Sequence, residues 1–542
     1  MSRREIALSV GLVFVVALVV RAVAASLVVF PQPEDTAYYV GVARNLLAGH
    51  GLTSDALWSY QTPPLTFPRP AFEVWLPLPT LLAAIPMAIL GPTFAAAQLS
   101  PVLIGSIVPV LVWRLGADVA IERRLPPGRV RVLALGAGLT SAVYLPLVLH
   151  STLPDSTMPF AALALGACIL MPRLLRDAGR LRLSGPRLLG LGVLIGLAAL
   201  TRNEAVFIGF AWLVAVWTVP MLDRHRKVAL VAVPAVVALA VFAPWMVRDW
   251  LEFSNPLPGQ ALANALSVTG FDIFAWNDPP TLSRYLAQGP ARLLAMRVDG
   301  IGHNLLTVLL LPGIPAAFVG LVALPFFARL AALRPLVVLS VTTFAVTSLV
   351  FPVSTTWGTY LHAAGPAHVL LLVCALLALD SVIERVGRMR GWTNPVAWLG
   401  GALTIFGSLL FMVALMPSFG GQSHALANRY EALAERLTAS GFAPATDGPI
   451  ITDFPIWLAE ATGAHALALP DETPIDVLDL AAAFPGTRLL IVNGDSHGSW
   501  PAILDSGAPG ANCFEEIDIG ASSNPALAHA LDDTRVFRLV CP

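Results

Sequence analysis

Residues 6–30, IALSVGLVFVVALVVRAVAASLVVF, form an apolar run in which Arg21 is the one charged residue. About 20 apolar residues are enough to cross a bilayer as a helix. The polar stretch PQPEDTAYYVGVARNLLAG follows directly at 31–49. A long first span that leads straight into an acidic loop predicts a membrane protein whose first polar segment lies at the membrane surface.

The composition of the whole chain agrees with a membrane environment. Of its 542 residues, 56% are hydrophobic and 12% are charged, and the mean hydropathy is +0.74. Soluble domains carry roughly 25% charged residues, so water is not the main solvent of this chain. The net charge of −1 provides no field that would attract nucleic acid.

Apolar runs of near-spanning length recur along the chain. The eleven that are predicted to cross the membrane are 6–30, 98–117, 131–149, 157–173, 188–201, 205–221, 228–247, 304–328, 335–352, 365–383 and 396–416.

The stretch 71–91 is apolar as well, but Pro77, Pro79 and Pro86 would interrupt a regular helix. Short arginine-rich loops mark the cytoplasmic side. They all fall on that side only if 71–91 is a hairpin or a juxtamembrane helix on the outer side. The prediction is therefore eleven crossings, with the N-terminus in the cytoplasm and the C-terminus outside. The AVA triplet at 22–24 also permits a cleaved signal peptide, which would leave the next loop on the same side.

This topology predicts the domain organisation. Residues 1–416 would form an all-α membrane domain with two large outer loops, 31–97 and 248–303. The tail, 417–542, alternates strand-like and helical patterns and is predicted to be a small extracytoplasmic α/β domain. Its strand-like runs are Pro449–Asp453, Arg488–Asn493 and Val536–Val540.

The tail contains two cysteines, Cys513 and Cys541. In an oxidising compartment they would be able to pair. The spacing alone leaves the paired and the unpaired states open.

Two aspartates stand at the predicted outer surface. Asp35 opens a helical pattern that Gly49 ends, and Asp155 precedes the span 157–173. Each suits a helix N-cap. The functional alternative is that Asp35 takes a proton from a substrate hydroxyl, and that Asp155 holds a divalent cation or orients basic side chains.

Ionisable residues near membrane depth are the next candidates. Arg202 and Glu204 lie between two spans, Arg248 ends the span 228–247, and His362 lies in a late outer loop. One interpretation is interfacial anchoring. The alternative is that outer cations bind an anion such as the phosphate of a lipid carrier.

The order of the motifs resembles that of a known superfamily. The EDTAYYVGVARNLLAG loop, the LTRNE turn at 200–204, APWMVRD at 243–249 and TDFP at 452–455 are similar to landmarks of the GT-C glycosyltransferases. Within these, the chain looks most like bacterial protein O-mannosyltransferase and lipid A aminoarabinose transferase relatives, over nearly its whole length. The resemblance implies a bacterial inner-membrane enzyme that uses a sugar donor on a polyprenyl phosphate.

The resemblance also implies roles for particular residues. Asp35 corresponds to the general base of the family, and Asp155 to the acid of its second outer loop. Arg202 and Arg248 fall where the family places basic residues near the lipid phosphate. The chain departs from the family where Glu34 precedes the aspartate instead of following it.

A second departure concerns the late outer loop, where the family often has an Arg-Tyr pair. This chain has Thr359-Tyr360 with His362 nearby. The departure bears on the contacts of the leaving group more than on the base.

The implied reaction is inverting transfer of the sugar to a hydroxyl or amine of an extracytoplasmic protein, lipid or glycan. Arg202, Arg248 and His362 would hold the donor phosphate, and Glu34, Asp155 and Glu204 would act as supporting acids or metal ligands. The resemblance makes no cofactor certain, and a divalent metal cation is the candidate. The alternative functions are a transporter or flippase of a lipid-linked or anionic substrate, and a non-catalytic relative whose tail binds cell-wall material.

Overall fold

The structure is a computed structural model that describes residues 2–179, 185–220, 222–392, 396–493 and 497–541. Its α-helices in these ranges are α1 (Arg3–Ala25), α2 (Glu34–Leu47), α3 (Leu78–Leu90), α4 (Phe94–Ala97), α5 (Leu99–Glu122), α6 (Pro127–Ala142), α7 (Leu145–His150), α8 (Thr157–Gly179), α9 (Gly185–Ala199), α10 (Val206–Trp217), α11 (Arg224–Phe253), α12 (Ala261–Leu266), α13 (Leu282–Ala287), α14 (Gly289–Gly302), α15 (Ala316–Phe327), α16 (Arg334–Leu349), α17 (Thr359–Ala363), α18 (Gly365–Met389), α19 (Trp398–Ala439), α20 (Pro455–Thr462), α21 (Pro474–Ala483) and α22 (Ala502–Asp505). Shorter 3-10 turns are Asn203–Ala205, Gly270–Phe274, Ser354–Trp357, Ala511–Cys513 and Pro525–Leu527, and His303–Leu310 is a π-helix. The strands are β1 (Thr53–Ser54), β2 (Ala56–Leu57), β3 (Arg69–Pro70), β4 (Ile450–Thr452), β5 (Ala466–Ala468), β6 (Leu489–Asn493), β7 (Phe514–Ile517) and β8 (Thr534–Leu539).

Each of the eleven predicted apolar runs contains helix in this structure. Among the described residues, seven helical segments are long and apolar enough to cross a bilayer: Arg3–Ala25, Phe94–Glu122, Thr157–Ala178, Arg224–Phe253, Gly289–Leu310, Gly365–Met389 and Trp398–Ala439. Further apolar helices, including α9, α10, α15 and α16, are shorter. The prediction of a polytopic, mainly helical membrane protein is confirmed.

The helix of the ambiguous proline-containing stretch is short. α3 has 13 residues and is therefore about 20 Å long, less than the roughly 30 Å of a hydrocarbon layer. It packs on α2 and α4. α2, which carries Asp35, is the first helix of this outer loop.

The predicted boundaries around residue 304 are wrong. α14 continues into the π-helix, so that Gly289–Leu310 forms one apolar helical segment of 22 residues. The chain then turns before α15, and the predicted span 304–328 is divided there. Pro315 precedes the new helix, because a proline that lacks an N–H favours a helix start over a helix interior. α11 reaches Phe253 and α14 begins at Gly289, and the outer loop 248–303 stays a prediction.

The tail folds into the predicted small α/β unit. A six-stranded sheet has the order β2-β5-β4-β6-β8-β7, in which β2, β5, β4 and β6 are parallel and the last two strands are antiparallel. α20 connects β4 to β5 and α21 connects β5 to β6. Cys513 and Cys541 form a disulfide, with Cα atoms 5.0 Å apart, that joins the start of β7 to the end of the chain.

The sheet is not built from the tail alone. β2 comes from the first outer loop, and Ala56 and Leu57 pair with Ala466 and Leu467 of β5. Buried side chains of the first loop and of the tail belong to one hydrophobic cluster. The 42-residue helix α19 runs through position 417, and the division into 1–416 and 417–542 stays a prediction. The shared core fixes the α/β unit over the loop that carries Asp35.

Candidate active site

α2 places Asp35 at the edge of a cavity. The helix begins at Glu34, its N-cap is Pro33, and no side chain caps it. The expectation that Asp35 is the N-cap is therefore wrong, since it lies in the first helical turn. The carboxylate is free for other contacts: its Oδ2 accepts a hydrogen bond from Trp75 Nε1 at 3.3 Å and lies 3.3 Å from His362 Nε2.

His362 connects Asp35 to the second predicted aspartate. Its Nδ1 lies 2.8 Å from Thr157 Oγ1 and 3.5 Å from Asp155 Oδ2. On the other side, His150 Nδ1 is 3.6 Å from the same Asp155 oxygen. The three side chains are buried, although they are separated by up to 212 residues in the chain. Packing thus brings Asp35, His362, Asp155 and His150 into one contiguous group.

Asp155 also makes the local contact that the sequence suggested. Its Oδ1 accepts the backbone N–H of Thr157, the first residue of α8, at 2.8 Å. Burial by itself would raise the pKa of Asp155, but the contacts with His150 and His362 outweigh burial and hold this pKa below its ordinary range. The carboxylate is therefore ionised at neutral pH, with Oδ1 used by the helix and Oδ2 turned to the imidazoles.

The same neighbours act on His362 in the opposite direction. Burial lowers the pKa of an imidazole, yet the contact with Asp155 and the charges of Asp35 and Asp155 raise the pKa of His362 above its ordinary value.

Arg202 lies at the same end of the bundle, between α9 and α10. Its Nε and one terminal nitrogen donate to the two carboxylate oxygens of Glu204, at 3.0 and 2.9 Å. The guanidinium also donates to Ser156 Oγ at 2.8 Å and to the carbonyl of Thr359 at 3.1 Å. These contacts use four of its five N–H groups and leave one for a ligand.

Arg248 is placed elsewhere. Its guanidinium donates to the carbonyls of Ala71 and Leu52, at 2.7 and 3.4 Å, and to Asp249 Oδ1 at 3.1 Å. It therefore holds the first outer loop against α11. The contact of Arg248 with a donor phosphate stays a prediction. In the structure, its guanidinium contacts the protein's own first loop and Asp249.

Four of the outer arginines are paired with acids. The pairs are Arg44–Glu460, Arg69–Glu73, Arg202–Glu204 and Arg248–Asp249, at 2.8, 3.1, 2.9 and 3.1 Å. The charge of these four arginines is compensated within the protein.

These groups surround a cavity of about 770 Å³. The wall includes five of the predicted site residues, namely Glu34, Asp35, Arg202, Glu204 and His362. Asp155 and Arg248 lie behind the wall. With Asp249, four carboxyl groups and one guanidinium line this cavity in the part of the chain that the structure describes. Most of the remaining lining is apolar or aromatic.

Comparisons with known proteins identify the fold. No family model and no curated protein matches the chain. Among solved structures, apo ArnT from Cupriavidus metallidurans is 15% identical with a TM-score of 0.54, over 98% of this chain and 97% of that one. The chain has the GT-C fold.

Two further structures agree. ArnT from Cupriavidus metallidurans bound to undecaprenyl phosphate is 12% identical, with a TM-score of 0.52 over 98% of this chain and 97% of that one. The Archaeoglobus fulgidus oligosaccharyltransferase in complex with Zn and sulfate is 14% identical, with a TM-score of 0.52 over 93% of this chain and 71% of that one. At these identities the likeness establishes the fold.

The α/β unit of this GT-C fold closes one side of the cavity. Phe454, Ile456 and Trp457, around the start of α20, line it together with Glu34. The backbone N–H of Ile456 donates to Glu34 Oε1 at 3.1 Å. Burial raises the pKa of Glu34 to about 8, the charge of Asp453 adds to this increase, and the Ile456 hydrogen bond opposes it. Glu34 is therefore a largely protonated link between the first loop and the α/β unit.

The second outer loop covers another side. Leu257–Leu262 and Ile273–Phe274 line the cavity. The backbone N–H groups of Trp276, Asn277 and Asp278 all donate to the carboxylate of Glu472, at 2.8 to 3.0 Å. The segment 276–278 is thus fastened to the α/β unit beside the cavity.

Several residues in or behind the cavity wall had no clear signal in the sequence. Trp75 donates to Asp35 but lies in the proline-containing stretch 71–91, which has no regular periodicity. His150 was one of several outer histidines and arginines, and only its position against Asp155 distinguishes it. The TDFP motif at 452–455 was the signal that pointed to the α20 contribution.

Proposed function

We propose that this GT-C protein is an inverting glycosyltransferase that moves a sugar from a polyprenyl-phosphate donor to a hydroxyl or amine of an extracytoplasmic acceptor. The observation that carries the proposal is the position of Asp35, whose carboxylate faces a cavity between membrane helices and an α/β unit. In this proposal, the protein lies in a bacterial inner membrane with its N-terminus in the cytoplasm. Residues 1–416 form the transferase domain, and 417–542 form the outer domain.

The walls of the cavity support a lipid-linked donor. Val206 of α10 and Leu262 of α12 both line it, and these two apolar residues are 65% and 74% exposed. We infer that the cavity opens to lipid between these helices. A polyprenyl chain would remain in the bilayer while its phosphate and sugar enter the cavity. ArnT from Cupriavidus metallidurans, which has the same fold, has a structure bound to undecaprenyl phosphate.

Asp35 is the proposed general base. Its Oδ2 is held by Trp75 and His362, and its carboxylate remains accessible from the cavity, with 21% of the side chain exposed. A carboxylate in hydrogen-bond reach of an acceptor O–H or N–H removes the proton as the acceptor attacks the anomeric carbon. The bond to the phosphate oxygen breaks on the opposite face of the sugar, which inverts the anomeric configuration. The acceptor class, protein, lipid or glycan, is left open.

The leaving phosphate needs positive charge, and the arginines supply little of it. Arg202 has one free N–H and its charge is balanced by Glu204. Among the described lining residues, Glu34 is largely protonated, and Glu204 and Asp249 are paired with Arg202 and Arg248. The lining therefore offers a phosphate the charge of Asp35 and no unpaired arginine. We therefore infer that a divalent cation takes part in holding the donor.

His150, Asp155 and His362 fit such a cation. One ligand atom of each lies within 4.8 Å of the others, and His150 Nδ1 and Asp155 Oδ2 have no hydrogen-bond partner in the buried cluster. Asp155 Oδ2 lies 3.5 Å from His362 Nδ1 and 3.6 Å from His150 Nδ1. Both distances are close to the roughly 3.3–3.4 Å between two ligands of one tetrahedral zinc ion. Two imidazoles and one carboxylate favour zinc over magnesium. A cation there would offset the charge of the phosphate.

Metal content tests this part directly. The purified protein is expected to hold about one divalent ion per chain by elemental analysis, and Asp155→Asn to lose most of it. Asp278→Asn, which changes an exposed aspartate of the outer loop, is the control. Metal content that is equal in the three proteins, or absent from all, would refute the cation site and leave the role of Asp35 standing.

The transfer itself is tested with membranes and radiolabelled polyprenyl-phosphate sugars. Asp35→Asn is expected to reduce donor consumption by about 10²–10⁴-fold, the scale of a lost general base, while Asp278→Asn consumes donor at the normal rate. A transporter or flippase would move the donor without consuming it. An Asp35→Asn protein that consumes donor normally would sink the proposal.

A further inference from the structure

A second pocket lies at the end of the bundle opposite the Asp35 cavity. α5, α8 and α9 enclose about 240 Å³ between the side chains of Arg114, Arg173, Arg176, Asp177 and Arg187. α8 starts at Thr157, beside Asp155, so Arg173 lies 16 residues or about 24 Å further along the helix. That distance approaches the thickness of a hydrocarbon layer. The arginines are therefore at the headgroup level of the other leaflet.

The pocket has more positive than negative charge. Asp118 is shared by Arg114, at 3.0 Å, and Arg173, and Asp177 pairs with Arg187 at 2.6 Å. Among the residues that the structure describes here, four guanidinium groups thus face two carboxylates. Arg176 is exposed and belongs to no ion pair among the described residues. Two positive charges remain for an anion.

The surface next to the pocket is apolar and faces lipid. Leu103 and Ile107 of α5 are 51% and 46% exposed, and their spacings of 11 and 7 residues place them on the helix face of Arg114. This stripe runs from the pocket toward the middle of the bilayer. An acyl chain on the stripe would have its headgroup at the arginines, an arrangement that a free phosphate ion does not use.

We propose that this pocket binds the headgroup phosphate of an anionic phospholipid. Guanidinium groups bind phosphate oxygens through paired N–H donors, and basic pockets between membrane helices select anionic headgroups. The site is independent of the transfer chemistry at the other end of the bundle, and it would stabilise the packing of α5, α8 and α9.

The test uses the full chain, delipidated in detergent, and compares dioleoyl phosphatidylglycerol, dioleoyl phosphatidylcholine and inorganic phosphate by native mass spectrometry and thermal unfolding. Phosphatidylglycerol is expected to remain bound and to raise the unfolding temperature, and the other two are not. At about a fivefold loss per arginine, Arg176→Gln with Arg187→Gln should weaken phosphatidylglycerol binding about 30-fold.

The matched control is Arg385→Gln with Arg388→Gln, which changes two exposed arginines of α18 at the same end of the bundle. This variant should keep the parental affinity for phosphatidylglycerol. If the double variant does not fold, Arg176→Gln alone is used, because this side chain is exposed. It should weaken phosphatidylglycerol binding about fivefold. Equal binding of the two phospholipids, equal losses in both double variants, or stabilisation by inorganic phosphate to the same extent would overturn the proposal.

Discussion

Protonation of Glu34 should make the stability of this protein depend on pH in a defined direction. Its pKa is raised from 4.5 to about 8 in the folded chain, chiefly by burial. Between these values the folded protein binds a proton that the unfolded chain does not. The stabilisation is therefore complete below pH 4.5 and is lost as the pH rises through about 8. Glu34→Gln keeps an acceptor for Ile456 N–H and removes the titrating group. The stability of the variant should therefore increase relative to that of the parent as the pH rises.

The size of the effect follows from the shift. At about 1.4 kcal/mol per unit, the full difference would be about 5 kcal/mol. Glu34 is only half-buried and lines a cavity that admits water, so screening reduces this to about 1–2 kcal/mol. For a chain of 542 residues, the unfolding entropy is about 1 kcal/mol per degree, which converts the gain into about 1–2 °C.

Differential scanning fluorimetry of the solubilised protein between about pH 5 and pH 9 measures this difference. The two unfolding temperatures should be similar at the acid end, with Glu34→Gln higher at the alkaline end. Glu252→Gln, in an exposed glutamate at the end of α11, is the control and should give a constant offset. A Glu34→Gln difference that does not change with pH, or that is largest in acid, would refute the reasoning.

Two further predictions concern the α/β unit. Glu472→Ala removes the acceptor of three consecutive backbone N–H groups, so the outer loop should be cleaved faster by chymotrypsin at Trp276, and an unchanged cleavage rate would contradict the fastening. Replacing Cys513 and Cys541 together by serine opens a loop of 28 residues and should cost about 3–4 kcal/mol of stability. Thermal unfolding with and without reductant checks this, because reductant should destabilise only the parent protein, and equal sensitivity of the variant would count against it.

The pairing of the outer arginines changes how a phosphate would be held. In sequence, Arg202 and Arg248 stand out as cations at a membrane surface. In the folded chain, each has a carboxylate partner within 3.1 Å. A metal ion at the His150–Asp155–His362 cluster would supply charge that these pairs do not, which makes metal content the more informative measurement of donor binding.

The sequence by itself determined the class of the protein. Runs of apolar residues long enough to cross a bilayer are a local property, because a helix in lipid satisfies its own backbone hydrogen bonds and needs no partner to be identified. The short apolar runs of the tail predicted β4, β6 and β8 to within two residues, because the burial of a strand is also visible in its own residues. Asp35 was also visible locally, as an acid in the first polar segment after the first span.

The tertiary structure alone decided which residues meet. Hydropathy and periodicity report the burial of a residue but not the identity of its neighbour. His150, Asp155 and His362 converge because α7, α8 and α17 pack together, and β2 joins a sheet whose other strands follow about 400 residues later. Whether an outer arginine is free or paired depends on contacts of this kind, such as that of Arg44 with Glu460. The charge of the cavity, on which the proposed cation rests, is therefore a property of the packed chain.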